Sequence, residues 1–233
     1  MSQLQSTFHC VELVEQSGLP SRARRALLVG NGLGPASRVL VVGGGSEDLM
    51  RCLDGLGLLV SGFEASPVEL AALRRKSPMY DWRGGGSGET SFLPDHTFDL
   101  IIVRQHPSYE ESLTGTESFR TTADFLAALR PGGTVAFLGA PKEHSATPPE
   151  AVLSQHLAAF PGLQHTEVYG DSPSRSRFLW NAHSTPAVWV AQLTIPSGKT
   201  VRSEWVRFAE AAVQNSTACC ETNGRPAAKR NAA

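Results

Sequence analysis

A run of three glycines, Gly43-Gly44-Gly45, follows a short apolar stretch and precedes two acids in the first part of the chain. The apolar stretch is residues 39–42 (VLVV), and the acids are Glu47 and Asp48. Such an uninterrupted run predicts a strand that is buried on both faces. Glycines at its end let the backbone turn sharply and lie against a ligand. Strand-to-helix turns also need glycine for packing alone, so the run by itself is weak evidence for a site.

Glu64 strengthens the prediction of a nucleotide site. It ends the next predicted strand, residues 58–63, and stands 21 positions after Gly43. A carboxylate there can accept hydrogen bonds from both hydroxyl groups of an adenosine ribose. Glu47 and Asp48 would repel a pyrophosphate at the start of the following helix. S-adenosylmethionine has no phosphate and carries a sulfonium and an ammonium group, so this acidic rim favours it over a dinucleotide.

Strand and helix signals alternate along most of the chain, which predicts an α/β fold with a mainly parallel sheet. Ser66-Pro67-Val68-Glu69 is a capping box with proline at the first helical position. Residues 81–90, with four glycines, are predicted to form a loop. The later predicted strands are Phe98–Val103, 134–138, 166–169 and 187–195, the last two antiparallel to each other.

The chain divides into three predicted segments. Residues 1–36 form an N-terminal helical cap, and residues 37–214 form the main domain. Ser203 caps a short helix near the end of that domain. Residues 215–233 are small, polar and lightly basic, which predicts a disordered tail.

Charge and composition exclude several classes of protein. Lys and Arg number 21 against 22 Asp and Glu, a net charge of −1, so no nucleic-acid partner is expected. No apolar run approaches the roughly 20 residues of a membrane span, and no secretion signal is visible, so no membrane partner is expected. The four cysteines and seven histidines show no metal-ligand spacing. We therefore predict no metal site and a cytoplasmic location.

Together these motifs resemble the class I S-adenosylmethionine-dependent methyltransferases, in particular the small-molecule, methyltransferase type 11-like group. Residues 39–76 are similar to the first half of that domain. Residues 93–101 (LPDHTFDLI) resemble the segment that leads into its fourth strand, and residues 129–134 (LRPGGT) resemble the turn into its fifth. The resemblance implies a Rossmann-like three-layer sandwich with a mostly parallel seven-stranded sheet whose last strand is antiparallel. It also implies S-adenosyl-L-methionine as cofactor and methyl transfer to a small molecule.

The resemblance further implies a set of cofactor-binding residues. They are Gly43, Gly44, Gly45, Phe63, Glu64, Ala65, Ser87, Glu89 and Arg104. Gly43 and Gly45 would approach the methionine part, Glu64 would hold the ribose, and its two neighbours would lie near the adenine. Ser87 replaces the acid that is usual after the third strand, and Glu89 is its stand-in. Val41 stands where the family often has an acid that anchors the amino end of the cofactor.

Catalytic candidates follow the predicted strand Phe98–Val103. His106 is the first candidate for a general base and Tyr109 the second, although methyl transfer needs a base only for acceptors that must lose a proton. The alternative for His106 is a loop histidine that orders the backbone.

Two other functions stay open. One is a non-catalytic binding or scaffold protein, favoured by the absence of acids at Val41 and Ser87. The other is an NAD-dependent oxidoreductase that uses the same glycine turn.

Overall fold

The computed structural model describes residues 31–43, 47–84, 90–104, 106–110, 115–139, 159–169, 189–195 and 201–223. Its parallel strands are β1 (Arg38–Val42), β2 (Leu59–Phe63), β3 (Asp81–Arg83), β4 (Phe98–Val103) and β5 (Leu129–Gly139). They lie in the order β3-β2-β1-β4-β5. Two further strands, β6 (Gln164–Tyr169) and β7 (Trp189–Thr194), lie beyond β5, and β7 pairs antiparallel with both β5 and β6. The prediction of a Rossmann-like α/β fold is confirmed.

Five helices accompany the strands in the described part of the chain: α1 (Glu47–Gly55), α2 (Pro67–Lys76), α3 (Pro107–Glu110), α4 (Thr116–Ala128) and α5 (Arg202–Asn223). None of the helices within the described ranges is long and apolar enough to cross a bilayer.

Hydrophobic side chains cover both faces of the sheet. Along β1, Val39 and Val41 belong to one buried cluster, and Leu40 and Val42 belong to the other. The first cluster also takes side chains from α1 and α2, while the second takes side chains from α4 and α5. Because successive residues of a strand face opposite sides, the unbroken apolar run predicts this double burial. The sheet is therefore the middle of three layers.

The capping box at α2 forms only in part. The Ser66 Oγ accepts a hydrogen bond from the Glu69 N–H at 3.3 Å, as predicted. The Ser66 N–H, however, donates to Glu64 Oε1 at 2.9 Å, and the capping-box pattern would assign that bond to Glu69. Ser66, the N-cap residue of α2, therefore fixes the carboxylate of Glu64, the residue that follows β2.

Two sequence predictions differ from the structure. Residues 81–90 contain the strand β3, because Trp82 is buried against β2 while its charged neighbours face outward. The short helix predicted after a Ser203 cap instead begins at Arg202 and continues through residue 223, so the predicted disordered tail begins as a helix. No glycine or proline interrupts α5 before Gly224, and Trp205 and Ala209 anchor its first half in the core.

Other predictions fall outside the described residues. They concern the helical cap of residues 1–36, apart from residues 31–36, and the last part of the tail, residues 224–233.

Candidate functional site

The carboxyl ends of the parallel strands meet at one edge of the sheet. The register pairs the last residue of β1 with the last residues of β2 and β4, and the last residue of β2 with that of β3. The residues that follow these strands therefore form a row: Gly84, Glu64, Gly43 and Arg104. The strand order reverses between β1 and β4, and open α/β sheets bind their ligands at this switch point.

Glu64 is the most constrained side chain of the row. It is only 5% exposed, and its Oε1 accepts the Ser66 N–H at 2.9 Å. Its Oε2 is buried and has no hydrogen-bond partner among the residues described. Burial raises the pKa of the Glu64 carboxyl, the nearby Glu69 carboxylate raises it further, and the Ser66 N–H opposes both effects. A buried acceptor left without a donor costs about 1–3 kcal/mol, and a ligand hydroxyl would remove that cost.

Glycine is required directly after β1 and directly after β3, the two strands that flank β2 and Glu64. Gly43 has a φ of 103°, and its N–H donates to the Phe63 carbonyl at 2.9 Å, which ties the end of β1 to β2. Gly84 has a φ of +137°, and a Cβ there would lie 1.8 Å from the Glu64 carbonyl oxygen. Sequence reasoning missed Gly84 because it placed this residue in a loop. The available signal was a glycine directly after Asp81-Trp82-Arg83.

Arg104 lies beside the glycine turn. Its N–H donates to the Val42 carbonyl at 2.9 Å, so its backbone adjoins the last residue of β1. Burial lowers the pKa of the half-buried guanidinium, and the carboxylate of Asp48 in the first turn of α1 opposes this shift. The other acid of that turn, Glu47, pairs with Lys76 at 2.5 Å. The two acids that the sequence groups together thus have different cationic neighbours.

His106 occupies an aromatic environment and is 2% exposed. Its ring centroid lies 5.8–6.1 Å from those of three other rings, which belong to Phe63, Tyr109 and Phe125. Its Nδ1 accepts the Ser108 N–H at 3.3 Å, at the start of α3. This bond requires the neutral ring to carry its proton on Nε2, an atom that is buried without a partner within the described ranges. Burial lowers the His106 pKa to about 4. In this arrangement His106 orders the backbone and offers a donor.

Tyr109 is a hydrogen-bonded phenol. Its hydroxyl lies 2.8 Å from the Thr122 Oγ1, and its ring meets Phe137 edge-on at a centroid distance of 5.3 Å. Burial raises the pKa of Tyr109. The hydroxyl therefore stays protonated near neutral pH, which does not suit it to act as a base.

Some of the remaining predicted site residues lie in the described part of the chain, and others lie outside it. Phe63 and Ala65 are buried on either side of Glu64, whereas Gly44, Gly45, Ser87 and Glu89 lie outside the described residues. Sequence reasoning also missed Phe92, a 48% exposed aromatic residue. Its ring stacks toward that of Phe63, with the centroids 6.1 Å apart. Its signal was a large aromatic residue directly after the glycine-rich and polar residues 84–91.

Comparison with known proteins identifies the fold. No protein-family model matches the chain, and no curated protein matches its sequence. A methyltransferase of Archaeoglobus fulgidus that depends on S-adenosylmethionine matches with a TM-score of 0.55 at 13% identity, over 75% of this chain and 91% of that one. One from Methanosarcina mazei gives 0.54 at 13% identity, over 73% and 98%. The N-methyltransferase NodS of Bradyrhizobium japonicum gives 0.52 at 18% identity, over 75% and 96%. The chain has the fold of the class I S-adenosylmethionine-dependent methyltransferases.

Proposed function

We propose that this protein transfers a methyl group from S-adenosyl-L-methionine to a small-molecule acceptor. The observation that carries the proposal is the buried Oε2 of Glu64 at the switch point of the sheet, which has no hydrogen-bond partner in the described part of the chain. Ser66 fixes the other oxygen of this carboxylate, so Glu64 is oriented before any ligand binds. Its Oε2 would accept hydrogen bonds from the ribose hydroxyls.

The residues around Glu64 fit the rest of the cofactor. Gly43 lets the backbone approach the methionine part closely, and Phe63 and Ala65 supply apolar surface for the adenine. Gly44, Gly45, Ser87, Glu89 and Arg104 complete the proposed set. The pairing of β6 and β7 beyond β5 supports the seven-stranded sheet with an antiparallel last strand that the resemblance implies. When bound, the cofactor supplies a methyl group that its sulfonium has already activated for displacement.

The chemistry of His106 and Tyr109 limits the acceptor. Since neither side chain is arranged to take up a proton, catalysis by this chain would rest on positioning. The acceptor atom would then be nucleophilic before it enters the site. His106 would contribute its Nε2–H as a donor that orients the acceptor, and Tyr109 would hold the wall of the site. The balanced net charge favours a small cytoplasmic acceptor over a nucleic acid or a membrane surface.

Calorimetric titration with S-adenosylmethionine, S-adenosylhomocysteine and NAD tests the proposal. We expect both adenosyl ligands to bind, NAD not to bind, and Glu64→Ala to lose the adenosyl ligands while its melting transition stays cooperative. Absence of binding by either adenosyl ligand would overturn the proposal. Binding of NAD alone would support an oxidoreductase.

A non-catalytic binding protein is the second candidate, because Val41 is fully buried in the core and presents no acid to the ligand. Incubation with a small-metabolite extract and S-adenosylmethionine that carries a deuterated methyl group separates the two functions. An enzyme yields products with the mass of the labelled methyl group. Adenosyl binding without any labelled product would favour the binding protein.

A further inference from the structure

Residues 90–97, which we call the strap, lead from the loop after β3 into β4. The two strands run parallel, so β3 ends at the carboxyl edge of the sheet and β4 begins at the opposite edge. The strap therefore crosses the face of the sheet that α4 and α5 cover, where Leu93 joins their buried cluster. At its far end, the N–H groups of His96 and Thr97 donate to the last two residues of α4 at 3.0 and 2.8 Å.

Phe92 is the third residue of a β-turn at the other end of the strap. The Thr90 carbonyl accepts the Leu93 N–H at 3.0 Å and closes this turn. Leu93 is 2% exposed, whereas Phe92 is 48% exposed. The Phe92 ring stacks toward that of Phe63, which directly precedes Glu64. The turn thus adds an aromatic ring to the edge of the sheet that carries the candidate site.

A single arginine connects the two ends of that turn. Arg202, the first residue of α5, donates through Nη2 to the Leu93 carbonyl at 2.7 Å and through Nη1 to Asp124 Oδ1 at 2.5 Å. The second oxygen of this carboxylate, Oδ2, accepts the Thr90 hydroxyl at 2.8 Å. The Arg202 Nε also donates to Asp95 Oδ1 at 2.7 Å. Thr90 is 0% and Asp124 8% exposed, so these bonds are shielded from water and are stronger for it.

We propose that Arg202, Asp124 and Thr90 form a clamp that positions Phe92 as one wall of the ligand site. Arg202 is a positioning residue, since it binds the backbone of the strap and only Phe92 would meet the ligand. A ring that is fixed beforehand spares the ligand the cost of ordering the turn. The assignment rests on the proposed function, and it makes the start of the C-terminal helix α5 a determinant of affinity.

A double-mutant cycle on the affinity for S-adenosylhomocysteine tests the clamp. Phe92→Ala should weaken binding by roughly tenfold, which is the contribution of one aromatic contact. Arg202→Met should weaken it by roughly threefold to tenfold in the wild type and should have no further effect in Phe92→Ala. A merely structural role of Arg202 would weaken binding by the same factor in both backgrounds. Calorimetric titration well below Tm, on variants whose circular dichroism matches the wild type, measures each affinity.

Thr90→Val and Thr90→Ser test the same clamp with its charges intact. Thr90→Val keeps the shape but lacks the donor to Asp124, and it should weaken binding by roughly twofold to threefold. Thr90→Ser keeps the hydroxyl and should bind like the wild type. This pair decides the test if Arg202→Met does not fold. Arg207→Met, on the exposed face of α5, is the matched control and should keep the wild-type affinity.

The outcomes separate this assignment from the proposed function. Undiminished binding by Phe92→Ala, equal weakening by Arg202→Met in both backgrounds, or equal affinities of Thr90→Val and Thr90→Ser would overturn the role of the clamp. The ligand would still bind at Glu64 in each of these cases. Failure of the wild type to bind S-adenosylhomocysteine would instead overturn the proposed function.

Discussion

Glu64→Gln separates the stability of the protein from its affinity for ligand. The substitution keeps the shape of the side chain and the acceptor that bonds the Ser66 N–H at 2.9 Å. It replaces the buried Oε2, which has no partner among the residues that the structure describes, with an amide nitrogen. That nitrogen can donate to the carboxylate of Glu69, which lies near enough to raise the Glu64 pKa. We therefore expect the variant without ligand to be more stable than the wild type.

The gain in stability should depend on pH. Because the pKa of Glu64 is raised in the folded state, stability is fully present below its ordinary value of 4.5 and is lost as pH rises through the raised pKa. The wild type and Glu64→Gln should differ little at about pH 4. At about pH 8 the variant should be more stable by about 1 kcal/mol. For a chain of this size, that difference raises Tm by roughly 2–4 °C.

Ligand should reverse the order. With S-adenosylhomocysteine at about 100 times its Kd, the wild type gains about 2.7 kcal/mol of stability. Glu64→Gln gives up an ionised acceptor for the ribose hydroxyls, and we expect its affinity to fall roughly a hundredfold. At the same ligand concentration it therefore gains only about 0.4 kcal/mol. The wild type should melt above the variant with ligand and below it without.

Thermal melts at both pH values, each with and without S-adenosylhomocysteine, measure all four quantities. Glu210→Gln is the control, because Glu210 is an exposed acid on α5, and it should change neither the pH dependence nor the response to ligand. A variant less stable than the wild type at about pH 8 without ligand would refute the view that Oε2 lacks a partner. An unchanged order of melting with ligand would refute Glu64 as the ribose acceptor.

Three further predictions concern other parts of the described structure. The ¹⁵N spectrum of His106 should show the tautomer with its proton on Nε2. The ring should stay neutral down to about pH 5, because burial lowers its pKa to about 4. The contribution of His106 to the free energy of unfolding should therefore fall as pH drops from 6.5 toward about 4. Gly62→Ala should lower the free energy of unfolding by about 3 kcal/mol in urea, because the new Cβ would lie 2.3 Å from the Trp82 ring. Arg202→Met should cost about 3–5 kcal/mol in the same assay, because it leaves the buried Asp124 carboxylate without its cation.

Matched controls accompany the two substitutions. Gly34→Ala should be nearly neutral, because nothing lies within 4 Å of a Cβ built there. Arg207→Met, on the exposed face of the same helix as Arg202, should cost less than about 1 kcal/mol. A cost for either control equal to that of its partner would contradict the contact reasoning, and a proton on Nδ1 of His106 would contradict the bond to Ser108.

The central strands could be predicted because the apolar pattern that identifies each strand lies within a few consecutive residues. Residues 39–42 are apolar throughout, Phe98–Val103 is apolar apart from Asp99, and the structure buries the apolar residues of both strands on the two faces of the sheet. The start of α2 was readable for the same reason, since Ser66 and Pro67 are local signals. The position of Glu64 at the edge of the sheet follows directly from these elements.

The rest depends on residues that are distant in sequence. Trp82 is buried because Gly62 on the neighbouring strand leaves room for its ring. No local sequence pattern in residues 81–90 predicts a strand. The Oε1 of Glu64 is occupied because the cap of α2 turns back toward β2. His106 was a candidate base by its position, but its tautomer depends on where the chain directs the Ser108 N–H.

The acids at the start of α1 show how the structure changes a sequence argument. In the sequence, the negative charges of Glu47 and Asp48 disfavour a pyrophosphate. In the structure, Glu47 pairs with Lys76, and the Asp48 carboxylate opposes the lowering of the Arg104 pKa by burial. Glu47 is therefore neutralised, and Asp48, whose side chain is 57% exposed, is the acid of this turn that a ligand can meet. The exposed Asp48 carboxylate in the first turn of α1 would repel a phosphate there and attract an ammonium group, so Asp48→Asn should shift two affinities in opposite directions. It should weaken S-adenosylhomocysteine by roughly tenfold and strengthen ADP severalfold. Competitive titration measures both, and a shift of the two ligands in the same direction would contradict this effect of the Asp48 charge.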